Sequence, residues 1–333
     1  MPRILAARAV LFVALLCLGF LGNPAPAATE EVVLRFGHSS QITEPNHIFA
    51  TKFAERVAEL TKNKVTVKIY PQAQLGDEQS LFEQVRLGTV DVTVVASDVL
   101  VSTLPDFAVI GLPFAFKNYD QIHKFFDGRG GAALNADLEA IGIVGLGYTD
   151  TGFRSIGNNK RAIYTPADLV GLKIRVIPSP LLIDTNKALG DTPVPISWAD
   201  TISALQQGMV DGVETGNSYY YSARLWEYTK YFSYTNHIYT ANVVMMSRAT
   251  YSRLSKAAQE AVMQAARDAI PVTRKYVADI EAKITPDLQA KGIKVNTVDP
   301  APFRAKVQGI WEKFVPTIKP EIVQDLRAVT ESK

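Results

Sequence analysis

Cysteine is nearly missing from this chain: 333 residues hold one, Cys17. It sits in a leader-like opening stretch, so the rest of the chain can form no disulfide, carry no thiol nucleophile and build no cysteine metal site. Histidine is scarce as well. His38, His47, His123 and His237 are scattered, and none stands in HExxH or another metal-ligating spacing. The sequence has no G-x-S-x-G elbow, S-x-x-K pair or Walker loop. The glycines of GIVGLG (142–147) have no helix after them, which argues against a dinucleotide fingerprint. These absences leave no catalytic set, and neither a cofactor nor a metal ion is expected. Most acidic residues fall in helical stretches, where a solvated face explains them.

Long apolar runs are missing too. Past the opening stretch, nothing is apolar for long enough to cross a bilayer. The opening itself carries Arg3 and Arg8, an uncharged run over 9–21, and Ala25-Pro26-Ala27. That is the pattern of a secretory signal peptide, residues 1–27, cut after Ala27 or Ala28. A large exported chain without disulfides fits a bacterial periplasm. The sequence holds 35 basic and 33 acidic residues, and losing Arg3 and Arg8 with the leader balances them. A balanced charge argues against nucleic acid or an anionic membrane surface as partner. The mature length exceeds one typical domain, so two lobes are expected.

What is present reads as alternating strands and helices. EVVLRFG (31–37) is a strand. Phe49, Phe53, Val57 and Leu60 make one stripe of a helix, and VTVKIY (65–70) is the next strand. This order implies a parallel sheet with right-handed crossovers. Asp77 is placed to cap a helix that Gly88 ends, and VDVTVVAS (90–97) is a buried strand. Helices near 119–126 and 132–141 lead to the strand IGIVGLGYTD. The pattern then restarts with the strand GLKIRV, a helix over 180–189, the short strand TPVPIS, a helix over 200–207 and the strand VDGVE. A long amphipathic helix is expected over 250–284, with Ala258, Ala261, Val262, Ala265 and Ala269 on one face and a kink at Pro271. A strand at 292–299 and further helices close the chain.

Two passages match. LFEQVRLGTVDVTV (81–94) and TISALQQGMVDGVE (201–214) both read as helix, Gly, one residue, Val-Asp, strand. The repeat pairs Gly88 and Asp91 with Gly208 and Asp211, and suggests two similar lobes. Each corner is expected at the C-terminal edge of its sheet.

In GLKIRV, Arg175 falls at the strand's C-terminal end, just before Ile177-Pro178. That end of a strand faces the ligand crevice of an α/β protein. A guanidinium stays charged, and its planar fork matches the two oxygens of a carboxylate. Arg175 is therefore the first candidate for a ligand-holding residue. On the residues alone, an ion-paired structural arginine stays open.

The segments GLKIRV, VPISWADTISALQQGMVDGVE and YSARLWEYTKYFSYTNHIY, with FGH and YPQAQLGDEQ before them, resemble one family in order and over nearly the whole mature chain. It is the periplasmic solute receptors of tripartite ATP-independent periplasmic (TRAP) transporters, the dicarboxylate- and sialic-acid-binding group. The resemblance implies an α/β, two-lobed periplasmic binding protein with a hinge and a long helix spanning both lobes. Lobe I is expected at 28–152 plus 241–280, and lobe II at 153–240 plus 281–333. It further implies capture of a carboxylate-containing organic acid by lobe closure. Delivery is to an ion-gradient-driven membrane permease, without ATP hydrolysis or chemistry on the ligand. The chain is expected to act as a monomer. An exported enzyme acting on organic acids and a ligand sensor for a membrane signalling protein are the alternatives.

Carried over position by position, Arg175 matches the carboxylate-clamping arginine and Arg154 a second arginine near the ligand. Trp198 matches an aromatic packed on the ligand. Glu78, Ser39 and Ser97 match the first lobe's side. The family's DGQEN reads DGVETGN here, so Thr215 replaces the usual asparagine and Asn217 is a possible substitute. Bland alternatives stand beside these. Trp198 fits plain core, Glu78 fits helix-dipole complementarity, Tyr219, Tyr220 and Tyr221 fit helix packing, Asp211 a strand-corner partner, and His237 a buried hinge residue.

Overall fold

Among the described residues nine segments become strands, most of them carrying Val or Ile. They are β1 (Val32–Gly37), β2 (Val65–Tyr70), β3 (Val92–Ala96), β4 (Ile143–Asn158), β5 (Lys173–Val176), β6 (Thr192–Pro195), β7 (Gly212–Gly216), β8 (Tyr231–Ser247) and β9 (Lys294–Thr297). The structure is a computed structural model describing residues 31–331, and the expected signal peptide lies outside them. All nine strands share one sheet, ordered β2-β1-β3-β8-β4-β7-β5-β6, with β9 also on β8.

The sheet is two parallel blocks joined by one antiparallel ribbon. β1 runs parallel to β2 and β3. β5 runs parallel to β6 and β7. Between the blocks, β4 and β8 pair from Ile143–Ser247 to Asn158–Tyr231. β3 joins β8 at 242–246, and β7 joins β4 at 154–158. The ribbon's register slips at Gly145/Gly147, at Asp150/Gly152 and at Arg154/Ile156, the middle one between the stretches paired with the two blocks. Gly152 has φ +98 there, a conformation that costs glycine little.

The expected strand ending at Asp150 therefore runs on to Asn158, and all of β8 went unanticipated. Thr, Asp, Arg, Ser and Asn punctuate both strands and hide their period. A buried strand can carry such residues only where neighbours satisfy them, and here they form the floor between the blocks.

Helix Pro45–Leu60 lays Phe49, Phe53 and Val57 on one face of the first block, with Leu34, Phe36, Val244 and Met246. The expected long helix is interrupted: helices Arg248–Arg253, Lys256–Glu281 and Ile284–Ala290 replace it. Ser255 caps the middle one by accepting from the Ala258 amide at 3.2 Å. Its alanine face is buried as expected, and small side chains let it approach helix Pro45–Leu60 closely. Pro271 lies inside this helix. The other face of the first block carries helices Glu78–Leu87, Tyr119–Phe126 and Arg129–Ala140. Asp77 caps the first of these, accepting from Ser80 at 2.8 Å, and Gly88 ends it at φ +76. Helix Pro320–Thr330, expected with lobe II, instead packs on helices 119–126 and 129–140 of the first block.

The internal repeat is structural. Asp91 accepts from the Arg35 amide at 2.8 Å, and Asp211 accepts from the Lys173 amide at 2.9 Å. Each aspartate ties the start of its own strand to the neighbouring parallel strand. Both corners thus stand at the N-terminal ends of β3 and β7, not at the C-terminal edge expected from sequence. The helix must finish before the strand begins, so the corner precedes the strand and points away from the crevice.

At Gly212 an added Cβ would collide with the Gly157 carbonyl oxygen and with Asn158 on β4. Gly212→Ala is expected to lower unfolding free energy by roughly 1–3 kcal/mol, read by equilibrium denaturation in urea. Unchanged stability would contradict this packing.

Candidate ligand-binding cleft

Parallel strands present their C-terminal ends to one crevice in an α/β fold, and here both blocks aim theirs at the same place. β3 ends at Ala96–Ser97, β5 at Arg175–Ile177 and β7 at Thr215–Asn217. Thr151, Arg154 and Asn242 come from the middle of the ribbon. Two adjoining cavities result. Glu78, Arg175, Ile177 and Trp198 border both, and Thr151, Arg154, Thr215, Tyr219 and Asn242 complete one of them. A third small cavity continues past Trp198 to Ser39 and Glu44. A wider open groove lies elsewhere, between Tyr221–Trp226 and the helix Lys256–Glu281. None of its lining residues belongs to a strand end, so the chemistry points to the crevice.

Arg175 is 1 % exposed. Its Nε donates to the Ile196 carbonyl at 2.8 Å, and its guanidinium lies 5.4 Å from the Trp198 ring centroid. Its Nη1 is buried without a partner among the described residues. Burial first, and the Arg154 charge second, lower its pKa to about 9, so it stays charged at neutral pH. A buried donor without a partner is costly, and a guanidinium in that condition suits an incoming anion.

Arg154 lines the cavity but is already engaged. It grips the Glu214 carboxylate with Nε and, at 2.7 Å, with Nη2, and donates to the Glu214 carbonyl at 2.9 Å. Both side chains are fully buried, and Arg154 holds the Glu214 carboxyl below its usual range against the opposing effect of burial. Beside them His237 is buried, bonded through Nδ1 to Thr235 at 2.8 Å. Burial lowers its pKa to about 4, so it is neutral.

From the first block, burial raises the Glu78 carboxyl to about 7, while Arg175, the Ala96 backbone and Ser39 pull it down. Ser97 Oγ is buried without a partner among the described residues. Glu44 is 0 % exposed and accepts from Trp198 Nε1 at 3.0 Å. Trp198 therefore spans the two blocks, edge-on to Tyr219 at 5.8 Å. Asn217 is buried, with Nδ2 donating to Asn236 at 3.1 Å, and its Oδ1 lacks a partner among the described residues.

Of the eight residues expected from sequence, Glu78, Arg154, Arg175, Trp198 and Thr215 line the two adjoining cavities and Ser39 lines the third, while Ser97 and Asn217 follow the ends of β3 and β7 and line none of the three. Reading the sequence missed Glu44, Glu214, Tyr219 and Asn242. Glu44 follows β1 in the loop that must face the crevice, and Glu214 is an acid inside the apolar strand VDGVETG. Both signals were available, since a buried charge needs a partner. Tyr219, expected to be helix packing, borders the cavity instead, and its hydroxyl accepts from Asn242 at 3.0 Å. Its neighbour Tyr220 does pack, stacking on Phe232 at 4.2 Å.

A family model described as "Bacterial extracellular solute-binding protein, family 7" matches residues 36–317. The chain is 34% identical over 222 residues to the 2,3-diketo-L-gulonate-binding periplasmic protein YiaO of Escherichia coli K12, covering 67% of this chain and 68% of YiaO. A TRAP periplasmic solute binding protein from Sulfurospirillum deleyianum, solved with bound succinate, superposes with TM-score 0.84 at 31% identity, covering 90% of this chain and 99% of that one. The sugar acid binding protein DctPAm of Advenella mimigardefordensis, solved with galactonate, gives TM-score 0.87 at 28% identity, covering 91% and 98%.

Burial lifts Glu44 to about 8, from an ordinary carboxyl value. The folded protein then holds a proton that the unfolded chain releases. The stability this contributes is complete at pH below about 4.5 and is lost as pH rises towards 8. Glu44→Gln keeps an acceptor for Trp198 and removes that proton. The fall in unfolding free energy between pH 5 and pH 8 should become shallower, by at most roughly 1.4 kcal/mol per pH unit. Urea titrations at both pH values read it, and an unchanged slope would contradict the assignment.

Proposed function

The chain belongs to the bacterial extracellular solute-binding proteins of family 7, and from that premise we propose that it captures a carboxylate-containing organic acid in the periplasm and delivers it to the membrane permease of a TRAP transporter. The observation that carries this reading is the buried Arg175 guanidinium, with one donor unspent, at the point where both blocks end their strands.

Lobe I comprises the mature chain to about residue 152 together with 241–280, and lobe II comprises 153–240 with most of the segment from 281 onward. Helix Pro320–Thr330 reaches back to lobe I. The hinge is the middle of the β4–β8 ribbon, where the register slips and Asn236 adopts φ 42. Ladder hydrogen bonds are interrupted there, so bending disrupts less. Contacts across the crevice support reading this arrangement as closed. Trp198 bonds Glu44, and Thr43 donates to the Ser222 carbonyl at 2.9 Å.

Capture proceeds as differential binding. In the open form the ligand's carboxylate meets Arg175, preset by Ile196 and Trp198. Arg154 takes no proton and makes no primary clamp; its pairing with Glu214 holds β4 to β7 and keeps the floor rigid. Thr215 and Asn217 complete the carboxylate's surroundings from lobe II. Closure adds Glu78, Ser39 and Ser97 from lobe I. A ligand that touches both lobes only in the closed form shifts the balance by that extra contact energy. No reaction on the ligand is involved, and the receptor acts as a monomer. The relatives' bound acids, succinate and galactonate, support the carboxylate as the shared element.

Arg175→Lys keeps the charge and loses the fork. Charge-assisted hydrogen bonds contribute roughly 1.5–3 kcal/mol, so affinity should fall roughly 10- to 150-fold. Titration calorimetry with the acid that gives the largest thermal shift in an organic-acid screen measures this. Unchanged affinity would remove Arg175 from the clamp.

A further inference from the structure

Among the described residues the cleft holds one cation not paired with a carboxylate, Arg175, and an acid, Glu78, that borders the same two cavities, and this arrangement bears on which carboxylates it accepts. Arg175 and Arg154 are the basic residues bordering the two adjoining cavities. Arg154 is spent on Glu214 through both its Nε and its Nη2. Arg154 Nη1 also donates to Thr240 at 3.4 Å, so among the described residues Arg154's charge is paired with Glu214, whereas Arg175 Nη1 is buried without a partner.

Opposite Arg175 stand acids. Glu78 borders both cavities, and Glu44 borders the third one past Trp198. Asp98 is buried nearby, accepting from Thr240 at 2.6 Å, and it acts on Arg154 together with Glu78. Glu44 and Glu78 also repel each other. A ligand seated with one carboxylate on Arg175 directs its other end at these acids. A second carboxylate there would meet like charge in a water-poor site, which is unfavourable. A hydroxyl would instead donate to Glu78 and accept from Ser97 or Asn242, and so satisfy groups on both sides.

We infer that this cleft selects a hydroxylated monocarboxylate, of the aldonate or related sugar-acid type, over a dicarboxylate of the same chain length, with Glu78 as the residue that discriminates. The inference rests on the carboxylate-capture reading and narrows its ligand.

D-erythronate and succinate both have four carbons and differ in whether the far end carries hydroxyls or a second carboxylate. Calorimetric titration of the full mature chain at pH 8 compares them, with galactonate as a longer hydroxy acid. The expected result is that erythronate or galactonate binds at least about tenfold tighter than succinate, one pKa unit's worth of charge interaction. Glu78→Gln, which removes the charge and keeps hydrogen bonding, should tighten succinate and narrow the ratio. Succinate binding equally or more tightly in the unaltered chain would overturn the selectivity while leaving carboxylate capture standing. A ratio unchanged in Glu78→Gln would remove Glu78 from that role. Failure of every acid to bind would overturn the capture reading and this inference together.

Discussion

A guanidinium buried with an unspent donor is the constraint around which the molecule is arranged. Arg175 leaves water at the end of β5, bonded to one carbonyl and lying by one indole. Burying an unpaired charge costs several kcal/mol, so the surrounding structure has to hold it there. Two features do so. The short strand β5 sits between β6 and β7 and cannot shift its register without breaking both pairings. The Arg154–Glu214 pair neutralises the neighbouring positive charge and ties β4 to β7 beneath it.

The sheet explains why a site can be assembled from two blocks and still move. Each block is a parallel sheet fastened by its own aspartate corner, Asp91 in the first and Asp211 in the second. Both corners lie at the strands' beginnings, which frees the strand ends for the ligand. The antiparallel ribbon β4–β8 runs through both blocks, with a register slip at Asp150/Gly152 between them. In the proposed closure the blocks bend about this ribbon. Trp198 reads that closure directly, since its indole nitrogen reaches Glu44 on the other half.

The parts legible in the sequence were those governed by local rules. Asp77 and Gly88 marked a helix's ends, the alanine face marked the long helix's buried side, and the Gly-Val-Asp repeat marked the two similar corners. The position of Arg175 at the end of an apolar strand was legible, while its sequence alone left an ion-paired structural role open. The ribbon was not legible. Gly145, Gly147, Gly152 and Gly157 interrupt β4, and its polar residues are satisfied by partners up to 91 positions away, as Thr151 is by Asn242. Glu44 stood in a loop whose place was legible, but which residue satisfies it was not, since its partner, Trp198, is 154 residues distant. The family resemblance supplied Arg154 as a ligand residue, and only three-dimensional pairing reveals that Glu214 already occupies it. The C-terminal helix, crossing back to the first block, was likewise decided by long-range packing.

The central claim is a position: an anionic ligand's carboxylate sits on the open side of Arg175, between the strand ends of both halves. A crystal structure of the mature chain with its bound organic acid tests it most directly. The account predicts a carboxylate oxygen within hydrogen-bonding distance of Arg175 Nη1, with Trp198 and Glu78 enclosing the remainder of the ligand. A carboxylate bound elsewhere, with that guanidinium nitrogen turned away from it, would contradict the account.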